Sequence, residues 1–185
     1  MLLNQKADFT ETSGIKIAII SDTHEELAPQ IVSAIKDCDI AMHAGDIGNS
    51  RVLETMQPKS GHVIAVAGNN DKPYLWDFKD WHLVKNLPHQ FDLSLPGGKL
   101  SIEHGHEHDM YKPSHDDLRA AHPGSRLVIY GHTHIQVIDE DIPECHVLNP
   151  GAAGFTRNKG GPSCVILTID NEHWDYEVLK FPDEA

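Results

Sequence analysis

Five short groups of residues along this chain carry side chains that bind divalent metal ions. Each group contains at least one Asp, Asn or His, and each directly follows an apolar run. A ligand set of this kind is typical of a two-metal centre, and such centres mostly cleave phosphate esters. One group alone is a weak signal, because Asp-x-His occurs by chance and Gly-Asp is common in turns, but five together are a strong one. The groups are Asp22-Thr23-His24, Gly45-Asp46, Gly68-Asn69-Asn70-Asp71, His104-Gly105-His106 and Gly131-His132-Thr133-His134.

The first three groups each follow a segment with the sequence of a buried strand. These segments cover residues 15–21, 39–44 and 62–67, and the first (IKIAIIS) is almost continuously apolar, as expected for a strand buried on both faces. Helices are predicted between them, over residues 25–37 and 50–56. The alternation predicts parallel strands joined by helical crossovers. The metal ligands would then meet at the carboxyl ends of the strands, where open α/β sheets place their sites.

The second half of the chain has a different pattern, typical of antiparallel strands. Residues 90–95 and 99–103 flank a Gly-rich turn and predict a β-hairpin that ends on His104. A helix is predicted from Ser114 through Ala121, with Ser114 and Asp117 placed as in a capping box. Further strands are predicted over residues 126–130, 135–139, 144–148, 163–170 and 173–179. The fold class expected is therefore α/β, with two sheets packed together and helices outside them.

Length, composition and charge narrow the class of protein. The chain has 185 residues, enough for one domain with a substantial core, which we place at residues 15–185. Residues 1–14 are polar and are expected to form a flexible N-terminal extension rather than a signal peptide. No apolar run is long enough to span a membrane. The three cysteines are widely spaced and odd in number, which suits a reduced, cytoplasmic protein.

The formal net charge of −13 argues against nucleic-acid polymers and anionic membranes as partners. An anionic substrate such as a small phosphate ester therefore needs a local positive centre, and bound metal ions would supply one.

The five groups resemble the calcineurin-like metallophosphoesterase superfamily, whose pattern is D-x-H, G-D, G-N-x-D, H and G-H-x-H. Small size, Asn70 and the absence of a cap domain resemble the compact bacterial and archaeal phosphodiesterases of the YfcE type. The resemblance runs from about Ile15 to about Leu179, and Asn149-Pro150-Gly151 with Thr156-Arg157 is similar to the family's C-terminal signature. It implies a four-layer αββα sandwich of two mixed β-sheets flanked by helices.

The resemblance also implies which residues hold two metal ions. One ion would be bound by Asp22, His24, Asp46 and His134. The other would be bound by Asp46, Asn69, His104 and His132. Asp46 would bridge the two ions, and a carboxylate has the lone pairs and charge for that role. Mixed His, Asp and Asn ligands suit Mn²⁺, Fe²⁺, Zn²⁺, Ni²⁺ or Co²⁺, and the resemblance favours Mn²⁺.

Such a centre implies hydrolysis by a hydroxide that bridges the ions and attacks phosphorus in line. The residues expected to take part are Asp46 as the bridge, Asn69 and His132 as ligands of the phosphoryl oxygens, and His106. Many relatives have a His at position 70 that protonates the leaving group, whereas Asn70 is no acid near neutral pH. We therefore expect a preference for good leaving groups, or the recruitment of His106 as the acid. Asp71 is expected to orient a ligand or to fix its loop.

Several alternatives stay open on the sequence alone. The same site would serve a phosphodiesterase, a phosphomonoesterase or a nucleotide pyrophosphatase, and the lack of His at position 70 favours diesters. The resemblance extends to a retromer subunit that binds partners, so a non-catalytic metal-binding scaffold is a further alternative. An aromatic segment, comprising Tyr74, Trp76, Phe78 and Trp81, is expected to pack internally or at a subunit interface rather than to stack a substrate. It leaves open a homodimer or homotetramer.

Overall fold

The computed structural model describes residues 7–12 and 14–183. Within them lie eleven strands, four α-helices and two single-turn 3-10 helices, the latter at Pro73–Leu75 and Phe78–Asp80. The strands are β1 (Ala7–Asp8), β2 (Ile15–Ile20), β3 (Ile40–His43), β4 (His62–Ala65), β5 (Gln90–Leu95), β6 (Gly98–Glu103), β7 (Ser125–Ile129), β8 (Val137–Asp139), β9 (His146–Asn149), β10 (Ser163–Asp170) and β11 (His173–Lys180). The α-helices are α1 (Pro29–Lys36), α2 (Ser50–Thr55), α3 (Trp81–Lys85) and α4 (His115–Ala121).

The strands form two mixed sheets. The first has the order β11-β10-β2-β3-β4, in which β2, β3 and β4 are parallel and β10 runs antiparallel to both neighbours. The second has the order β1-β5-β6-β7-β9-β8, with β6, β7 and β9 parallel to one another. The second half is thus less antiparallel than its sequence predicts, because α4 carries the chain across to place β7 parallel to β6.

Burial alternates along the central strands and defines four layers. Ile17 and Ile19 of β2 belong to the core between the two sheets, whereas Ala18 and Ile20 belong to the core between the first sheet and α1, α2 and α3. On the outer face of the second sheet, Leu118 of α4 joins a smaller core. The predicted αββα sandwich is confirmed, since each sheet is covered by its partner on one face and by helices on the other.

The first helix begins later than its sequence predicts. The apolar spacing predicts a helix over residues 25–37, but α1 begins at Pro29. The backbone at Asp22, His24 and Glu25 has positive φ angles of 53°, 44° and 80°, which no right-handed helix contains. Proline then takes the first helical position, where its missing N–H costs nothing. The four intervening residues hold the chain at the sheet edge where Asp22 and His24 lie.

The N-terminal strand joins the edge of the second sheet. Ala7–Asp8 pairs in parallel with Leu93–Ser94 of β5, while residues 1–6 and 13 of the predicted N-terminal extension lie outside the described residues. None of the helices among the described residues is long and apolar enough to cross a membrane. Cys38 and Cys164 are buried, Cys145 is half-buried, and all three are free thiols.

Candidate metal centre

The predicted ligands lie in the loops that follow five strands. Asp22 and His24 follow β2, Asp46 follows β3, and Asn69 follows β4, all in the first sheet. His104 follows β6 in the second sheet, and Gly131-His132-Thr133-His134 follows β7. The carboxyl ends of these parallel strands meet at one edge of the sandwich, as the crossovers require. Side chains that are distant in sequence are therefore brought together there.

One group combines a carboxylate with two imidazoles. Ligand atoms of Asp22, His24 and His134 all lie within 4.8 Å of one another. The two Nε2 atoms are 3.1 Å apart, and His134 Nε2 is 3.4 Å from Asp22 Oδ1. His134 donates its Nδ1–H to the carbonyl of Thr156, at 3.1 Å, and Arg157 Nη2 donates to His24 Nε2, at 3.2 Å. Both Nε2 atoms therefore present lone pairs to each other, an arrangement that a shared cation stabilises.

The pKa values of these two imidazoles favour the neutral form that binds metal ions. Burial, the neighbouring His24 and the Arg157 cation lower the pKa of His134 to about 4. Burial also lowers the pKa of His24, although the carboxylate of Asp46 opposes that shift. Both rings are thus unprotonated near neutral pH, with their lone pairs available.

A second group lies beside the first and shares Asp22 with it. Ligand atoms of Asp22, Asp46 and His104 lie within 4.8 Å of one another. His104 donates its Nδ1–H to the carbonyl of Ala44, at 2.7 Å, which turns Nε2 towards Asp46 Oδ1 at 3.5 Å and Asn69 Oδ1 at 3.2 Å. Burial opposes protonation of His104, but the carboxylates of Asp46 and Asp22 outweigh it and raise its pKa to about 9. A metal ion could take the place of that proton, bound by His104 Nε2 and by the neighbouring oxygens of Asp46 and Asn69.

Asp46 lies between the two groups. Its Oδ2 is 3.7 Å from His24 Nε2, and its Oδ1 is 3.5 Å from His104 Nε2. Asn70 donates its backbone N–H to Oδ1, at 2.8 Å, and its side-chain amide to Oδ2, at 2.7 Å. Burial opposes ionisation of Asp46, yet hydrogen bonds from His104 and Asn70 hold its pKa well below the usual range. The carboxylate is therefore charged and fixed in orientation, with one oxygen towards each group.

The carboxylate of Asp22 is buried without the partners that a charged group normally has. Its side chain is fully buried, and neither carboxylate oxygen has a hydrogen bond of normal geometry among the described residues. The Ser21 hydroxyl and the His132 backbone N–H are near enough to favour the anion, but burial dominates and raises the pKa of Asp22 to about 7. Buried carboxylates are normally paired, hydrogen-bonded or bound to metal. The residues present therefore fit a cation at this position.

A comparison with known protein families shows to which family this chain belongs. The model of the calcineurin-like phosphoesterase superfamily domain matches residues 15–172. The chain belongs to this superfamily. The predicted family is thereby confirmed, and with it the coarse activity, that of a metal-dependent phosphoesterase. The family implies divalent metal ions, and the two groups above are candidate positions for them.

Individual relatives agree with this assignment. A phosphodiesterase of Methanocaldococcus jannaschii is 29% identical over 178 residues, which cover 90% of this chain and 100% of the relative. A probable metallophosphoesterase of Methanothermobacter thermautotrophicus is 27% identical over 172 residues, 89% of this chain and 91% of the relative. Among solved structures, vacuolar protein sorting 29 of Cryptosporidium parvum has a TM-score of 0.69 at 16% identity, over 92% of this chain and 100% of that one. This last likeness shows the fold.

The other predicted site residues of this phosphoesterase line the same edge. His132 donates its Nε2–H to the carbonyl of Met110, at 2.9 Å, which leaves Nδ1 as the ring nitrogen free to bind a ligand. Its ring centroid is 5.2 Å from that of His104. The His106 ring lies 5.3 Å from His104 and 6.2 Å from His132, and its Nδ1 is buried without a hydrogen bond. His106 therefore adjoins the second group but belongs to neither.

Asp71 fixes loops and contacts no ligand imidazole. Its carboxylate accepts hydrogen bonds from the backbone N–H groups of Ile47, Gly48 and Gly68, at 2.8 to 3.2 Å. It thus ties the loop after β3 to the loop after β4. Of the two roles predicted for Asp71, the structure shows the loop-fixing one.

His43 belongs to none of the five groups, yet it supports two of them. The ring is fully buried, accepts from the backbone N–H of Gly45 at Nδ1, and donates from Nε2 to the hydroxyl of Thr23 at 2.9 Å. The hydroxyl of Thr23 in turn donates to the carbonyl of Ile47. Burial lowers the pKa of His43 to about 3, so the ring stays neutral. Only its position at the end of an apolar strand, directly before Gly-Asp, could have indicated this role.

Proposed function

We propose that this protein is a dinuclear metal-dependent phosphodiesterase. One observation carries the proposal: two groups of carboxylate and imidazole ligands lie side by side, with Asp22 common to both and Asp46 between them. One ion would be held by Asp22, His24, Asp46 and His134, and the other by Asp46, Asn69, His104 and His132. The donor set suits borderline divalent metals, and among them the family resemblance favours Mn²⁺.

The side chains present fit this assignment in two independent ways. The carboxylate of Asp22 is buried without a hydrogen bond of normal geometry. The lone pairs of His24 and His134 face each other at 3.1 Å. Each arrangement is unfavourable without a cation, and a divalent ion would stabilise both.

The ions would supply Lewis acidity, lowering the pKa of water and neutralising charge on phosphoryl oxygens. The protein's own residues would then position the substrate and the metal ligands. Asn69 lines the second group, where its side-chain amide can donate to the phosphoryl oxygens of a substrate. His132, whose Nε2–H is bonded to the carbonyl of Met110, would act on those oxygens through a metal ion bound at Nδ1. Asn70 holds Asp46 in place through two hydrogen bonds. His106, next to the second group, is the candidate to donate a proton to the leaving oxygen.

Position 70 supports diesters rather than monoesters as the main substrates. The side chain of Asn70 is turned to the Asp46 carboxylate and is no acid near neutral pH. General acid catalysis is typically worth about 10²–10⁴-fold, so the enzyme would depend on good leaving groups unless His106 takes that role. A series of esters with graded leaving groups tests this point. His106→Ala should lose activity selectively on the poorest leaving groups, and equal loss on all of them would remove His106 from that role.

The proposal predicts that activity depends on added metal and on Asp46. Metal-stripped protein should regain hydrolysis of bis-p-nitrophenyl phosphate when Mn²⁺ is added, and more weakly that of p-nitrophenyl phosphate. Asp46→Asn should abolish the regained activity, because a neutral amide cannot bridge two cations. Asp175→Asn is the matched control, since Asp175 is exposed on β11. Zn²⁺, Ni²⁺ and Mg²⁺ added in parallel would identify the preferred metal.

The same experiment can refute the proposal. Tight metal binding without turnover of either ester would favour the non-catalytic scaffold. Activity that persists in Asp46→Asn would remove the bridging role of Asp46.

A further inference from the structure

The guanidinium of Arg157 contacts the first ligand group. Its Nη2 is 3.2 Å from His24 Nε2, the atom that also lies 3.1 Å from His134 Nε2 and 3.7 Å from Asp46 Oδ2. The side chain is otherwise exposed to solvent. The guanidinium therefore reaches in from the open side of the site, to the point on which the metal ligands converge.

The loop that carries Arg157 is braced at several points. His134 donates to the carbonyl of Thr156, one residue before Arg157. Asn158, one residue after it, donates to the carbonyls of Gly154 and Phe155 and accepts from Gly161 N–H. Arg157 itself has a φ of 54°, in the left-handed region that residues other than glycine rarely adopt. The backbone is thus held so as to aim this one side chain at the site.

A guanidinium and a divalent cation cannot share the lone pair of His24. An ion in the first group would repel the guanidinium, and the long, exposed side chain can turn outward without any change in the braced backbone. From there its planar set of N–H donors faces whatever anion the ion attracts, and this set matches phosphate oxygens in geometry.

We propose that Arg157 binds non-esterified phosphoryl oxygens and thereby equips this centre to accept dianionic phosphates, namely phosphomonoesters and inorganic phosphate, in addition to diesters. The inference rests on the proposed function, because the metal-loaded centre is the phosphate site. A diester has two non-esterified oxygens and one negative charge, whereas a monoester has three and up to two. One further cation contributes more to binding the dianion, since Coulomb attraction scales with charge.

Calorimetric titration of the Mn²⁺-loaded protein with inorganic phosphate tests the inference without any turnover. Arg157→Gln should weaken phosphate binding about 10- to 100-fold, as expected for loss of a hydrogen bond between charged groups. Arg157→Lys should fall between wild type and Arg157→Gln, because it keeps the charge but not the planar geometry. Lys159→Gln is the matched control: it removes the same charge from an exposed position in the same loop and should bind phosphate like wild type.

Three further measurements separate this role from a structural one. Arg157→Gln should bind Mn²⁺ at least as tightly as wild type, because the competing guanidinium is gone, and its melting temperature should be unchanged. Its kcat/KM should fall more for p-nitrophenyl phosphate than for bis-p-nitrophenyl phosphate. Wild-type phosphate affinity in Arg157→Gln, weakened Mn²⁺ binding, or equal loss on both esters would each overturn the inference. If the wild-type protein binds phosphate but turns over neither ester, the proposed function fails while the titration still decides the role of Arg157.

Discussion

At the scale of single residues, Asp22 sets the energetics of the centre. A buried carboxylate without a partner costs several kcal/mol when ionised, and Asp22 has neither exposure nor a hydrogen bond of normal geometry. Without metal the group responds by retaining its proton to a pH of about 7. With metal the same burial becomes an advantage, since the low dielectric strengthens attraction between the carboxylate and a cation. Under the proposed function, Asp22 would thus make the stability of the protein depend on metal.

This residue predicts how the metal-free protein responds to pH. Its folded pKa is above the unfolded value of 3.8, so its ionisation destabilises the fold progressively as pH rises from about 4 through about 7. His104 acts in the same direction: its folded pKa is also raised, so its stabilising proton, fully present below 6.5, is lost as pH rises to about 9. His43 and His134 act in the opposite direction below about pH 6.5, because their folded pKa values are lowered and the unfolded chain binds more protons there. Melting temperatures in EDTA should therefore fall between pH 7 and pH 9.

Asp22→Asn provides the check on that prediction. Without the titrating carboxyl, the metal-free variant should melt on the order of 5 °C above wild type at pH 7, and this difference should shrink as pH falls towards 4. In saturating Mn²⁺ the order should reverse, because wild type gains a metal ligand that the variant lacks. A metal-free variant that melts with the same pH profile as wild type would contradict the assignment.

Asn70 shows why a residue's type can be read correctly while its contact cannot. The sequence shows that position 70 lacks an acid. It does not show that Asn70 donates its backbone N–H to one oxygen of Asp46 and its side-chain amide to the other, at 2.8 and 2.7 Å, across 24 positions of the chain. An orienting amide of this kind typically changes metal affinity about 10–100-fold. Compared with the His that many relatives have at position 70, Asn70 thus lacks a proton donor for the leaving group but holds the carboxylate of Asp46 in place.

At the scale of elements, the loops after the strands do most of the positioning. Asp22, His24, Asp46, His132 and His134 all have positive φ angles, between 44° and 69°. Residues other than glycine adopt this region at a cost, and such conformations cluster at functional sites. The loops are held there by cross-ties such as Asp71, and the tightness is visible at Gly68, where an added Cβ would lie 2.3 Å from the backbone nitrogen of Asp46.

Asp71→Asn should weaken two loops at once. The amide would present its NH₂ group to backbone donors from Ile47, Gly48 and Gly68, leaving buried N–H groups without partners. The expected loss is about 1–3 kcal/mol of unfolding free energy, together with weaker Mn²⁺ binding, because Asp46 lies directly before Ile47. Urea unfolding and metal titration measure these two effects, with Asp175→Asn as the exposed control. Full stability with full metal affinity would show that the cross-tie is dispensable.

Elements were predicted well where burial leaves a period in the sequence. β5 and β10 have the predicted bounds, and Ser114 caps α4 by accepting from the N–H of Asp117 as predicted. Periodicity does not record side-chain contacts between loops, so the supporting role of His43 could not be predicted. Nor was α3 (Trp81–Lys85), whose five residues are too short to show a helical period. The family resemblance predicted which residue types are candidate ligands, whereas the distances between them could be read only from the structure.

At the scale of the whole molecule, the net negative charge opposes the binding of an anionic substrate. The chain carries a net charge of −13, which repels anions at long range. Under the proposed function, attraction of a phosphate ester is confined to two metal ions and Arg157 at one edge of the sandwich. Such a protein would bind small anionic esters at that edge while repelling extended polyanions, in agreement with the expected absence of nucleic-acid partners.

The aromatic segment carries the last prediction, which concerns assembly. Trp76 is buried and Trp81 partly buried against α1 and α2, so these two pack internally as predicted. Tyr74 and Phe78 are 75% and 80% exposed, and Leu75 between them is also exposed. Exposed apolar side chains grouped on one short segment are typical of a contact surface, and the loss of their exposed area on association is favourable. We therefore expect a homodimer or larger homo-oligomer.

Sedimentation velocity on wild type and on a Tyr74→Ser, Phe78→Ser double variant tests this expectation. The variant should be monomeric, because removing both rings removes most of the apolar area, and its kcat/KM on bis-p-nitrophenyl phosphate should match wild type. Tyr111→Ser, which changes a tyrosine that is 90% exposed on a different segment, should leave the assembly intact. A monomeric wild type, with a KM for aryl esters that rises in the double variant, would instead assign these rings to the substrate, because the patch would then bind the aryl group of the ester.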